Sequence, residues 1–277
     1  MSMPANVKID GNKNLKYSIF NRANFYAKPL KDFFEEVSKL TLFLLRFFKE
    51  AVKPPYEFRE FFKQSYIIGY KSLPIVTITG FIMGLVLTLQ SRPTLAEFGA
   101  ESWLPGMVAL SLIREISPVI TALICAGKIS SGIGAELGSM KVTQQIDAME
   151  VSSINPYKYL VVTRIMATTL MIPILVVFAD GVGVLGGFAG INIHGDVNLY
   201  RYFSQVLASL EFIDIMPATI KTFFFGFFIG LIGCYKGFTA ANGTESVGKA
   251  ATSAVVSASL AIFIIDMLAV QLTDIFF

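Results

Sequence analysis

The 277-residue sequence is poor in the residues that form cross-links and metal sites, with two cysteines and one histidine. Cys125 and Cys234 lie in or beside apolar runs, which excludes a disulfide framework or a metal cluster built on them. His194 has no partners for a site and is expected to be a surface loop residue. Charged residues are also scarce, at 16% against roughly 25% in soluble domains. This composition excludes a soluble domain and indicates an integral membrane protein.

The sequence is instead rich in long apolar stretches. Five stretches of around 18 residues or more are each long enough to cross about 30 Å of hydrocarbon as a helix. They lie near residues 73–90, 103–127, 160–191, 212–235 and 250–276. The sequence therefore predicts an all-α membrane protein with five transmembrane helices.

The chain before the first apolar stretch is predicted to lie outside the hydrocarbon. Residues 1–31 are polar and lack the apolar core of a signal peptide, so they are expected to form a cytoplasmic tail. Residues 32–71 are expected to form amphipathic helices in the membrane interface, because one face of residues 32–53 is too charged to enter lipid. At 100° per residue, that face covers roughly 140° and comprises Asp32, Glu35, Glu36, Lys39, Arg46, Lys49, Glu50 and Lys53.

The distribution of Lys and Arg predicts the orientation. With the N-terminus in the cytoplasm, nineteen of these residues fall on the cytoplasmic side, and only Arg92 and Arg201 fall on the opposite side. An excess of this kind marks the cytoplasmic face of membrane proteins. The C-terminus is therefore expected outside.

Cys125–Tyr159 is a polar, glycine-punctuated stretch between the second and third apolar runs. It is too small to be a domain and predicts one short cytoplasmic helix, residues 141–150, that couples the subunit to a cytoplasmic motor. Ile146 and Met149 would provide an apolar face; a solvated loop helix is the alternative. The predicted polar contacts are Glu136, Lys141, Gln144, Gln145, Asp147 and Glu150.

Two nucleotide-binding patterns are present, and both lack the required context. Gly181, Gly183 and Gly186 match the GxGxxG spacing, but they lie in an apolar run with no preceding strand, so close helix packing explains them better. GTESVGKA, residues 243–250, resembles a P-loop, yet Ala250 stands where a hydroxyl group must bind magnesium. No cofactor is expected, and the chain is not expected to bind ATP itself.

Several charged residues lie inside the apolar stretches, and four of them are expected to form one polar layer at roughly 13 to 17 Å from the outer boundary: Arg114, Glu115, Lys221 and Asp266. Such charges normally face a bundle interior or a wet cavity, and Pro118 and Pro217 could kink the helices beside them. One interpretation is a cargo site, in which cations bind a phosphate while the carboxylates keep the empty layer neutral. The other is a structural ion pair between Lys221 and Asp266.

Residues 114–164 and 221–266 closely resemble the MlaE family of ABC-transporter permease subunits, also called YrbE, most specifically in the string AELGSMKVTQQIDAMEV. The resemblance runs from about Tyr66 to the C-terminus and identifies residues 72–277 as an MlaE-type permease domain. Some positions depart from the family. It commonly has Glu at Gln144, Met-Gly-Ile-Asp-Pro at residues 152–156 and Gly-Gly-Ala-Glu-Gly at residues 242–246.

The resemblance implies a homodimer in a bacterial inner membrane, with two cytoplasmic ATPase subunits and an outer ring of MCE-domain lipid-binding subunits. Its cargo would be phospholipid or a related lipid moved between inner and outer membranes; no nucleic acid partner is implied. The subunit would not be an enzyme, because ATP hydrolysis belongs to its partner. The alternatives are a membrane anchor for an MCE-type complex and a secondary transporter, although five spans do not divide into the repeats of the latter.

Overall fold

The computed structural model describes residues 31, 34–193, 195 and 197–276. This part of the chain is helical and contains no strand, which confirms the predicted all-α class. The predicted tail, apart from Lys31, and His194 lie outside the described residues. The chain divides into two compact units, Met1–Phe48 and Lys49–Phe277. Apart from the bounds of the first helix, the description below concerns the second unit.

Eleven helices are distinguished in the described chain. α1 comprises residues 34–51. The others are α2 (Phe58–Gly69), α3 (Leu73–Glu97), α4 (Leu104–Ser111), α5 (Ser117–Cys125), α6 (Ser131–Val142), α7 (Gln145–Val151), α8 (Thr163–Asn192), α9 (Leu199–Ser209), α10 (Phe212–Phe238) and α11 (Thr244–Phe276). Short 3-10 and π-helical turns join several of them into longer rods.

Within the described residues, five of these rods are long and apolar enough to span a membrane, as predicted. They are Phe58–Glu97, Glu101–Val142, Tyr157–Asn192, Phe212–Phe238 and Thr244–Ile275. The second span is π-helical at Leu112–Ile116, just before Pro118. Proline removes the amide that would bond the carbonyl four residues earlier, and a π-turn is one way a helix accommodates this loss. α10 continues as α-helix through Pro217.

Glycines let α3 and α8 pack backbone to backbone. A Cβ atom on Gly84 would overlap the carbonyl oxygen of Gly183, and one on Gly186 would overlap the carbonyl oxygen of Phe81. Of the GxGxxG pattern, Gly186 thus serves close helix packing, as predicted, whereas a Cβ on Gly183 would meet no atom closer than 3.4 Å and Gly181 faces open space. These contacts are inside one subunit, so they say nothing about dimerisation.

α2 is amphipathic, and its buried face carries the polar residues Glu60 and Gln64, whereas Arg59 and Lys63 are exposed. Glu60 is buried and accepts hydrogen bonds from Gln64 Nε2 at 2.7 Å and from the Tyr159 hydroxyl at 3.2 Å, while Phe58 and Phe62 are exposed. The interfacial position of residues 32–71 stays a prediction. In α2 the polar side chains hold the helix against the start of the third span.

α9 connects the third and fourth spans and was not anticipated. Its Tyr202 is fully buried, and the hydroxyl donates to the carbonyl of Val184 at 3.1 Å. Removal from water disfavours the phenolate and raises the pKa of Tyr202 to about 12. Tyr202 packs with Leu104, Val108 and Leu112 and thereby fixes α9 to the second span.

Candidate functional site

Lys221 of α10 forms ion pairs with carboxylates from two other spans. Its Nζ atom lies 2.7 Å from Glu115 Oε2 and 2.9 Å from Asp266 Oδ1, and its side chain is only 5% exposed. The contact between Lys221 and Asp266 is the one that the structural interpretation predicted. An ammonium group buried this deeply requires such partners, because leaving it unpaired costs several kcal/mol.

Arg114 does not share this cluster but pairs with Asp214, in the first turn of α10. Its Nε atom lies 2.7 Å from Asp214 Oδ1, and its Nη2 atom contacts the same oxygen. Asp214 Oδ2 also accepts from the backbone amide of Glu211, closing a capping box at the start of α10. Sequence reasoning missed Asp214. The Glu211–Asp214 spacing before an apolar run was the available signal.

The four predicted residues therefore form two ion-pair groups. Arg114 bonds to Asp214, and the adjacent Glu115 bonds to Lys221. Asp214 and Lys221 lie about 10 Å apart along α10. The π-helical turn carries both Arg114 and Glu115. Their side chains are 57% and 48% exposed, whereas Lys221 and Asp214 are buried. The described subunit thus presents one cation and one anion on the surface of a membrane-spanning segment.

Asp180 in the third span is a second carboxylate that sequence reasoning missed. Its carboxyl group is buried beside the hydroxyl of Ser117. Among the described residues, no lysine or arginine forms an ion pair with it. Asp180 and Asp214 were not among the four residues of the predicted polar layer.

The predicted helix over residues 141–150 is broken in two. α6 ends at Val142, and α7 begins only at Gln145, because Gln144 adopts the left-handed conformation with φ 59°. The correction has a local cause: a left-handed residue cannot continue a right-handed helix. Lys141 Nζ lies 3.0 Å from Asp147 Oδ1 and ties the two helices together.

The exposed surface of α7 is only partly the predicted one. Four of the predicted polar contacts are exposed there: Gln144, Gln145, Asp147 and Glu150. Ile146, however, is buried in its own subunit at 1% exposure and cannot enter a partner's groove. Val151, 87% exposed, and Ile154, 45% exposed, are the apolar groups that α7 and the following loop present.

Glu136 lies in α6, outside the helix that was expected to dock. Its Oε1 atom accepts from Arg164 Nη2 at 2.8 Å. Arg164 is 2% exposed and also donates to the carbonyl of Leu160, so Glu136 neutralises a buried guanidinium. Glu136 itself is 54% exposed, and a contact with an ATPase stays a prediction.

Five apolar spans, ion pairs buried between them and a short exposed helix between the second and third spans describe the membrane subunit of a transporter. Residues 61–272 match the model of a protein family described as "Permease MlaE". The chain is a member of this family of ABC transporter permeases.

Known relatives agree with this assignment. A "Probable ABC transporter permease protein" of Rickettsia bellii is 38% identical over 259 residues, 94% of this chain and 99% of the relative. A similarly named protein of Synechocystis is 36% identical over 206 residues, 74% of this chain and 78% of the relative. The "Intermembrane phospholipid transport system permease protein MlaE" of Haemophilus influenzae is 32% identical over 256 residues, 90% of this chain and 96% of the relative.

Proposed function

We propose that this ABC transporter permease moves phospholipid between the inner and outer membranes, using ATP that a partner subunit hydrolyses. The name of the Haemophilus influenzae relative supports phospholipid as the cargo, and this chain matches 96% of that relative's length. The chain would lie in the inner membrane with its N-terminus in the cytoplasm and its C-terminus in the periplasm, as the distribution of Lys and Arg indicates.

The observation that carries the proposal is the exposure of Arg114 and Glu115. Each charge would cost about 3 kcal/mol in the centre of a bilayer, so this face is unsuited to hydrocarbon. A second copy of the chain, with a wet cavity between the two, removes that cost. The homodimer is thus proposed on physical grounds as well as on the family resemblance.

Within such a cavity Arg114 suits a phosphate. A guanidinium has five N–H donors, and Asp214 occupies only those on Nε and Nη2 through a single oxygen. The remaining donors can bind a headgroup bidentately. Lys221 is buried and holds two carboxylates, so in this proposal Lys221 and Asp266 are scaffold and Arg114 and Glu115 meet the cargo.

The partners follow from the two ends of the subunit. The exposed part of α7 would dock on the cytoplasmic ATPase, with Val151 as the apolar contact and Asp147 and Glu150 as polar contacts. The periplasmic side would meet an MCE-domain lipid-binding subunit, a partner that rests on the family resemblance.

The test is Arg114→Ala in the complex purified with its ATPase, with the exposed Arg201→Ala in α9 as the matched control. We expect Arg114→Ala to reduce ATP-dependent phospholipid transfer and co-purifying phospholipid at least tenfold, while Arg201→Ala leaves both unchanged. Normal transfer and lipid content in an intact Arg114→Ala complex would reject the cargo site. A membrane anchor without a lipid site predicts that result.

A further inference from the structure

An apolar groove separate from the ion-pair groups lies where α2 and the third span begin. Its volume is about 310 Å³, within the size range of ligand sites in proteins. The lining is mostly apolar, with Tyr56, Phe58, Phe61, Val162 and Met166 among its residues, and its two polar members are Glu57 and Thr163. Tyr56, Phe58 and Met166 are more than two-fifths exposed, so the groove is open to its surroundings.

A buried cation stands beside this groove. Lys158 is 8% exposed; its Nζ atom donates to the carbonyl of Lys53 and lies 5.7 Å from the ring centroid of Tyr56, which lines the groove. Among the described residues, no carboxylate forms an ion pair with Lys158. Nearby Glu50 instead accepts from Asn155 Nδ2 at 2.9 Å.

One kind of ligand would suit both the groove and the cation. An ammonium group has three donors, and burying one without a counter-charge is unfavourable. A carbonyl oxygen and an aromatic face offset only part of that cost. A molecule with an anionic group for Lys158 and a hydrocarbon chain for the groove would satisfy both features.

We propose that a phospholipid of the surrounding leaflet resides here, with its phosphate against Lys158 and one acyl chain in the groove. Two membrane-spanning rods, the first and the third, begin at this place, which corresponds to the level at which headgroups meet hydrocarbon. This lipid is not the cargo of the Arg114 site, and the inference does not require that the chain transport lipid.

Residence of a lipid here would affect the segment that carries α7. Lys158 and Asn155 follow α7 closely and bond, respectively, to the carbonyl of Lys53 and the carboxylate of Glu50. A phosphate on Lys158 would neutralise the charge at this junction. The lipid would thereby stabilise the base of α7 against the segment that precedes α2.

The chain's single tryptophan allows a direct test. In a Trp103→Phe background, Phe61→Trp places a fluorophore in the groove, and Phe263→Trp places a control at a 53% exposed position on α11. Each full-length protein is reconstituted in vesicles that contain brominated phosphatidylglycerol, or brominated phosphatidylcholine, in an unbrominated phosphatidylcholine background. Quenching gives the relative affinity of each lipid for the two positions.

We expect the groove position to prefer the anionic lipid about tenfold and the control position to show no preference. Lys158→Met should abolish the preference, and Lys158→Arg should keep it. Val162→Phe, which fills the groove without touching the charge, should reduce quenching by either lipid. Equal quenching by both lipids at position 61, or a preference that survives Lys158→Met, would overturn the site. Since no transport is measured, this result is independent of the Arg114 test.

Discussion

Arg114 in the second span and Asp214 in the first turn of α10 are joined by an ion pair across 100 residues of sequence. The same Asp214 carboxylate caps α10 through its second oxygen. One side chain therefore fixes both where the fourth span begins and how it meets the second. Replacing this side chain with alanine would remove a bond between two spans and a helix cap together.

The two roles of Asp214 can be separated by two substitutions. Asp214→Asn keeps an acceptor for the cap but removes the charge, and we expect it to lower the free energy of unfolding by about 1–2 kcal/mol, since Arg114 is half-exposed. Asp214→Ala should cost about 1 kcal/mol more through the lost cap. Denaturant unfolding in mixed micelles measures both. If Asp214→Asn costs as much in an Arg114→Leu background, the ion pair is not the cause.

Lys221 gives a larger effect because it is buried between two carboxylates. Lys221→Met should lower the free energy of unfolding by about 3–5 kcal/mol. Adding Asp266→Asn should restore only part of this loss, because Glu115 is still unpaired; adding Glu115→Gln as well should restore most of it. The thermal midpoints of the single, double and triple variants provide the comparison. No recovery in the triple variant would contradict a scaffold role.

The spans were predictable, and the ion-pair partners were only partly so. Apolar length alone determines which stretches can cross a bilayer, and the pairing of Lys221 with Asp266 follows from their similar depth on neighbouring helices. Asp214 escaped because depth was counted from the ends of the apolar runs, whereas the first turn of α10 is itself buried. Asp180 could have been included, because it is a charged residue inside the third apolar stretch, but nothing in its own sequence neighbourhood indicates which helix it faces.

The break before α7 could not be predicted for a similar reason. Gln144 is not a helix breaker, yet it is left-handed at the turn between α6 and α7, which the Lys141–Asp147 ion pair also spans. Ile146 is buried, although by periodicity it belonged to the face expected to meet a partner. Local patterns identify an amphipathic helix, but only the tertiary packing decides which side of it stays free.

Substitutions at Val151 and Ile146 of α7 should have different effects, one on assembly and the other on folding. Val151→Asp, at an 87% exposed position, should leave the free energy of unfolding unchanged and reduce ATPase co-purification at least tenfold. Ile146→Asp should instead lower the yield of folded subunit, because it buries a charge. Asp147→Arg should uncouple ATP hydrolysis from transport in assembled complexes. Normal assembly and coupling in both Val151→Asp and Asp147→Arg would rule out docking through α7.

α7 ends in a Schellman motif whose left-handed position is occupied by serine and not by the usual glycine. Ser153 has φ 60°, and the amides of Ser153 and Ile154 donate to the carbonyls of Glu150 and Met149 at 3.0 Å. A left-handed residue with a side chain costs about 1 kcal/mol. Glycine is the residue that the MlaE family commonly has at this position.

Ser153→Gly should therefore raise the free energy of unfolding by about 1 kcal/mol. Ser152→Gly is the control, since Ser152 has φ −81°, so glycine relieves no strain there. It adds freedom to the unfolded chain and removes the bond from the Ser152 hydroxyl to the carbonyl of Ala148. That control should be neutral or destabilising. Thermal unfolding followed by circular dichroism distinguishes them. A loss of stability in Ser153→Gly would mean that the serine side chain contributes more than its backbone conformation costs.

The buried carboxylate of α2 has a consequence for biosynthesis. Glu60 is synthesised 99 residues before Tyr159, whose hydroxyl it binds. At about 5–20 residues per second, roughly 5 to 20 s pass before that partner leaves the ribosome. Until then, Gln64 and Lys63 are the described residues that bond to this carboxylate. We therefore expect α2 to stay at the membrane surface and to join the first span only after the third span has been inserted.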